Sequence, residues 1–199
     1  VPLDPLLVPI VDVMNAARFG ADTGAVGADS ATNMPALVDD PPAVAAISDQ
    51  LISVGGGEIT ARIYTPFGAG PFPAHLYFHG GGFWLGTLDQ SDGKCRETAH
   101  GAGCVVVAVG YRLAPRHKFP IAPEDCFAAL EWVVGNAAAL DVDPRRVSVG
   151  GVSSGANLAA VVTLIARDRG GPPLVFQVLE VPVTDLTLSS ASMIENATG

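Results

Sequence analysis

Two short stretches carry residue types that could do chemistry together. The first is Gly151-Val152-Ser153-Ser154-Gly155, a G-x-S-x-G pattern. A serine hydroxyl becomes a nucleophile when a tight turn presents it clear of its neighbours and a base removes its proton. Glycines on both sides let the chain turn where a Cβ would clash. The second is His79-Gly80-Gly81-Gly82. Three successive glycines let a backbone take angles closed to other residues and let a ligand approach its N–H groups. Such groups can stabilise the oxyanion of an acyl-transfer intermediate, and losing one donor raises the barrier by roughly 3–4 kcal/mol. A phosphate loop is a poorer reading, because no Gly-Lys-Ser/Thr follows the glycines.

Both stretches gain weight from the elements around them. Val147 to Val149 is a β-branched run that predicts a strand, and Ala156 to Arg167, free of Gly and Pro, predicts a helix. Ser153 therefore sits on a strand-to-helix turn, the setting of a nucleophile elbow. Ala74 to Phe78 predicts a strand running directly into His79. The remaining pattern alternates in the same way. Gln50–Val54 and Glu58–Tyr64 read as a hairpin around Gly55-Gly56-Gly57, and Gln90–Gly101 as a helix. Cys104–Val109 reads as a strand buried on both faces, and Pro123–Leu140 as a long helix with Glu124 and Asp125 in its first turn. Asp143-Pro144 marks a turn, and Leu174–Val181 reads as another buried strand. This rhythm predicts an α/β fold, a mainly parallel sheet with helices on both faces.

Composition bounds the rest. The chain has 199 residues, 49% hydrophobic and 16% charged, enough for one domain with a real core. A net charge of −9 without a basic stripe argues against nucleic acid as a partner. Cys95, Cys104 and Cys126 have no metal-type spacing and are odd in number, so buried, reduced thiols and a cytoplasmic setting are expected. No apolar run is long enough for a membrane span, and no signal-peptide pattern is visible. The sequon Asn196-Ala197-Thr198 carries no weight in that setting. Residues 1–49 form a separate block: Leu6 to Met14 suggests a short amphipathic helix, and 21–42 a loose segment. It reads as a cover for something apolar or as a poorly ordered arm, followed by a core over 50–199.

Taken in order, His79-Gly80-Gly81-Gly82, Tyr111-Arg112-Leu113-Ala114-Pro115, Phe119-Pro120 with Glu124-Asp125, Asp143-Pro144-Arg145-Arg146 and Gly151-Val152-Ser153-Ser154-Gly155 resemble the hormone-sensitive-lipase-like branch of the α/β-hydrolases, bacterial carboxylesterase type. The resemblance covers roughly Gln50 to Pro182. It implies an esterase of short acyl esters that needs no cofactor or metal, with 1–49 as the N-terminal part of a cap. By matching positions it implies Ser153 as nucleophile and Gly80, Gly81, Gly82 and the N–H of Ser154 as the oxyanion hole. His79 would orient the glycine loop, and Phe83 and Trp84 would line the pocket entrance or pack beneath the cap. The chain departs from the family in Val152, where an acid is common, in Ser154 and Ala156, where Ala and Gly are common, and in Arg116, where Glu is common.

A triad is not legible. The fold's order is serine, acid, histidine, yet His75, His79, His100 and His117 all precede Ser153. Asp185 follows the strand directly after the elbow and reads as a structural or hinge residue. The expectation is a longer protein, with the acid, the base, two further strands and the second part of the cap outside these residues. No ester hydrolysis is expected from these residues alone. A non-catalytic small-molecule binder on the same fold, or an amidase or dehydratase using the same glycine loop, stays open beside the esterase. Oligomeric state is not legible.

Overall fold

The computed structural model describes residues 40–187 and 189–195, all within one unit, Ala36–Gly199. The expected N-terminal helix, nearly all of the loose segment and the sequon lie outside the described residues. Strands are β1 (Ala46–Val54), β2 (Gly57–Thr65), β3 (Phe72–Phe78), β4 (Val105–Gly110), β5 (Val142–Val152) and β6 (Phe176–Glu180). Helices are α1 (Asp92–Ala102), α2 (Ile121–Gly135), α3 (Ser154–Arg169) and α4 (Ala191–Glu195). The strands form one sheet in the order β1-β2-β4-β3-β5-β6. β1, β2 and β4 pair antiparallel; β4, β3, β5 and β6 pair parallel.

Alternation along the central strands builds two cores. Leu76, Phe78, Val105, Val107 and Val109 face α2 and α3, where they meet Leu130, Val133, Leu158 and Val162. Tyr77, Val106 and Ala108 face the other way, onto Cys95 and Ala99 of α1. β4 is apolar throughout because both its faces are covered. α1 and α3 each end on a left-handed glycine, Gly103 (φ 60°) and Gly170 (φ 65°), the usual stop for a helix.

Beyond shifts of one to four residues at the ends of the other elements, three differ from expectation. α2 starts two residues earlier, with Pro123 in the first turn, where a missing N–H costs nothing. It also stops five residues earlier: both the backbone and the side-chain N–H of Asn136 donate to the Trp132 carbonyl and close the helix. β5 starts at Val142 rather than Val147. Phe72 pairs with Val142 but Ala74 with Val147, so the expected Asp143-Pro144 turn is taken up as an irregularity inside the strand. The carboxylate of Asp143 accepts from the Arg145 N–H at 3.0 Å and shapes that bulge. β6 is shorter than Leu174–Val181 and is not buried. Among the described residues it is an edge strand, with Phe176 65% exposed.

Candidate active site

The sheet topology decides where a site can form. The chain leaves β3 for α1 on one face, whereas it leaves the adjacent β5 for α3 on the other. Neighbouring strands whose connections part in this way leave a crevice at their carboxyl ends, the usual ligand position in an open α/β sheet. Phe78 pairs with Gly151 at those ends, so the His79 loop and the Ser153 turn emerge side by side. The two stretches singled out in the sequence, which begin 72 positions apart, are thus brought together.

Ser153 is half-buried and holds φ 55°, ψ −117°, a region that costs a non-glycine residue roughly 1–3 kcal/mol. Its N–H donates to Glu180 O at 2.9 Å, and its carbonyl accepts from Asn157 N at 3.1 Å. Ser154 opens α3, so its own N–H has no partner inside the helix. The flanking glycines are required by contact rather than by dihedral. A Cβ on Gly151 would stand 2.3 Å from Phe78 O, and one on Gly155 would stand 2.0 Å from Phe78 O and 2.5 Å from His79 O. Gly80 lies directly against the elbow: its Cβ would be 3.0 Å from Val152 O and 3.5 Å from Ser153 Cβ.

In the glycine loop, Gly81 and Gly82 take φ 122° and 62°, and the Gly81 carbonyl accepts from the N–H groups of Trp84 and Leu85. His79 is buried with Nδ1 2.8 Å from Gly80 O, so Nδ1 carries the proton and donates. Its ring stacks on Tyr111 at a 4.3 Å centroid separation. Burial pulls its pKa down and the bond to Gly80 O partly opposes this, which leaves a neutral ring bonded to the loop itself. Phe83 is half-buried against the larger core, and Trp84 is half-buried too. Val152, standing where the family commonly has an acid, packs against the Tyr77–Cys95 core.

The other candidates sit elsewhere. Among the described residues no histidine is hydrogen-bonded to Ser153. His75 points to the α1 side of the sheet and pairs with Ser148 Oγ at 2.9 Å, and His100 Nδ1 lies 3.3 Å from Ala43 O. Asp185 binds Thr187 N, Thr187 Oγ1 and Ser189 Oγ, a local turn. The three cysteines are buried free thiols, and burial pushes Cys95 up to about 12 and Cys104 to about 11, so neither supplies a thiolate near neutral pH. Glu124 and Asp125 do more than face a helix dipole. Glu124 pairs with Arg169 at 2.6 Å. Asp125, 1% exposed, receives Nε, Nη2 and the backbone N–H of Arg112.

The α/β hydrolase fold family profile matches residues 75–199. The chain belongs to that family. Within this α/β-hydrolase family its likeness is to the hormone-sensitive-lipase-like, carboxylesterase branch. It is 40% identical over 200 residues to the carboxylesterase NlhH of Mycobacterium tuberculosis, covering 98% of this chain and 61% of that protein. The crystal structure of EstE1, a thermostable carboxylesterase from a metagenomic library, is 46% identical with a TM-score of 0.75, over 79% of this chain and 53% of that one. An arylesterase structure superposes with a TM-score of 0.79 at 32% identity, over 98% and 64%. The chain thus spans about three fifths of the curated relative's length. Among its described residues no helix is long and apolar enough to cross a membrane.

Sequence reasoning missed three supports of the site. Gly86 (φ 115°) lets the chain pass where a Cβ would stand 2.2 Å from His79 Nδ1. Asn157 Nδ2 donates to Val183 O at 2.7 Å and ties α3 to the segment after β6. Tyr111 Oη donates to His79 O at 2.8 Å. Only Tyr111 had a signal, its place in a motif.

Proposed function

We propose that the protein is a serine carboxylesterase of short-chain esters. Ser153 Oγ attacks the ester carbonyl, and the N–H groups of Gly81, Gly82 and Ser154 receive the developing oxyanion. The alcohol leaves, and water releases the acid from the acyl-enzyme. The observation that carries this is a juxtaposition: the strained serine at the head of α3 and the glycine loop issue from paired strand ends. The relatives named as carboxylesterases support the same reaction class. No step calls for a metal or cofactor. The reaction needs a general base and an orienting acid. None of the four histidines here is hydrogen-bonded to Ser153, and Asp185 is bound within a local turn, so the proposal takes the base and the acid from outside this sequence.

The test is a fluorophosphonate probe followed by peptide mapping, with p-nitrophenyl esters of graded acyl length in parallel. One adduct on Ser153, hydrolysis of acetate and butyrate esters, and loss of both in Ser153→Ala are expected. A folded, full-length protein that binds esters without adduct or turnover would show a binding role instead.

A further inference from the structure

The two halves of the crevice meet on one backbone carbonyl. His79 O heads the glycine loop, and Gly155 of the elbow packs against it so closely that a Cβ there would stand 2.5 Å away. The Tyr111 phenol donates to that same oxygen at 2.8 Å, while its ring stacks on the His79 imidazole 14° from parallel. The Ser154 hydroxyl is fully buried beside this phenol and finds no partner of hydrogen-bond geometry. Three residues on, Ala114 N donates to Phe83 O at 3.0 Å. The segment 111–114 therefore grips the glycine loop at both ends, His79 and Phe83. It is itself anchored, because Arg112 between them binds Asp125 of α2 in a fork and reaches Gly55 O in the β1–β2 turn.

We infer that Tyr111 is a positioning residue, setting the distance between the two donor groups of the oxyanion site. This rests on the esterase reading above. A carbonyl and the N–H of the next residue belong to one rigid peptide plane. Fixing His79 O therefore fixes the Gly80 N–H and the direction in which the chain enters Gly81. Gly81 and Gly82 have wide conformational freedom, so the loop does not hold that direction alone. Tyr111 supplies it from outside the loop, and the same oxygen is the surface on which the elbow rests. Losing the phenol frees the loop relative to Ser154 N–H without touching substrate.

Tyr111→Phe keeps the ring and its stacking and removes the one hydroxyl. In the full-length protein, kcat for p-nitrophenyl butyrate is expected to fall about tenfold, the cost of loosening a preorganised donor set, with KM within about twofold. The inhibition constant of a trifluoromethyl ketone, which forms a tetrahedral oxyanion on the serine, is expected to rise by a similar factor. A merely structural tyrosine would lower the melting temperature and leave kcat and the ketone constant unchanged below it; that result overturns the inference. If Tyr111→Phe does not fold, 3-fluorotyrosine at position 111 keeps the hydroxyl and strengthens it as a donor. The ketone constant then shifts if Tyr111 positions the loop, and no shift counts against it. Ser153→Ala separates the two claims. A Ser153→Ala protein that still hydrolyses esters removes the esterase reading and this inference together. An inactive Ser153→Ala beside a fully active Tyr111→Phe removes only this inference.

Discussion

A glycine in a motif is often credited with flexibility, but Gly155 is present for lack of volume. Its φ is not in the left-handed region, and what excludes a side chain is Phe78 O, 2.0 Å from where a Cβ would be. Backbone cannot swing aside as a side-chain tip can. Gly155→Ala must push the head of α3 off the end of β3, an overpacking that costs about 1–3 kcal/mol or more. Urea unfolding is expected to show that loss, with fluorophosphonate labelling of Ser153 slowed at the same time because the elbow moves. Unchanged stability would mean that the elbow and β3 are not in such close contact.

At the scale of elements, the Arg112–Asp125 fork joins the loop after β4 to α2, and through Gly55 O to the first hairpin. Asp125 is 1% exposed and Arg112 13%. Removing one partner from a buried pair leaves the other charge without compensation, at a cost of about 3–5 kcal/mol. Arg112→Ala is expected to lose about that much in chemical denaturation. An Arg112→Met, Asp125→Leu double variant should lose much less, which separates an orphaned charge from lost packing. None of this was legible beforehand. Glu124 and Asp125 stood in a first turn, where an acid suits the helix dipole, and a residue 13 positions away cannot be recognised as a partner without the fold. Short-range physics, by contrast, was legible. The unbroken apolar run of β4 meant burial on two faces, and the glycines around Ser153 meant a turn. The end of α2 was not, because Ala137 to Leu140 continue the apolar pattern after Asn136 has closed the helix. The apolar residues of β6 read as a buried strand, whereas among the described residues, in a chain that spans about three fifths of its curated relative's length, β6 lies at the sheet edge.

For the whole molecule the clearest consequence of burial is its dependence on pH. Burial on the α1 face lowers the His75 pKa to about 4 from an ordinary 6.5. Between those values the unfolded chain binds a proton that the folded chain refuses. Stability is therefore complete above about pH 6.5 and is lost as pH falls toward 4, by about 3 kcal/mol in full. His79, also lowered by burial, acts in the same direction. Carboxylates cannot be mistaken for this effect in the upper part of the window. Asp49, Glu124 and Asp143 are all held low by guanidinium partners, Asp143 at about 2, and their contribution disappears only in stronger acid. Urea midpoints at pH 7.5, 6.0 and 5.0 are expected to fall for the wild type and to flatten in His75→Gln. Parallel curves for the two would assign the acid sensitivity to other groups.

The dihedral angles of Ser153 have a further consequence, for how such a protein can be improved. The backbone there suits glycine and no other residue, so the site holds a reserve of conformational energy that the rest of the fold supports. A search for heat resistance that scores folding alone will find Ser153→Gly among its rewards, because it releases that reserve. Each degree gained at that position would cost the hydroxyl on which the proposed reaction depends. A directed-evolution campaign on this chain therefore has to couple every thermal selection step to a test of covalent labelling, or it will converge on sturdier scaffolds without the hydroxyl that the proposed ester hydrolysis uses.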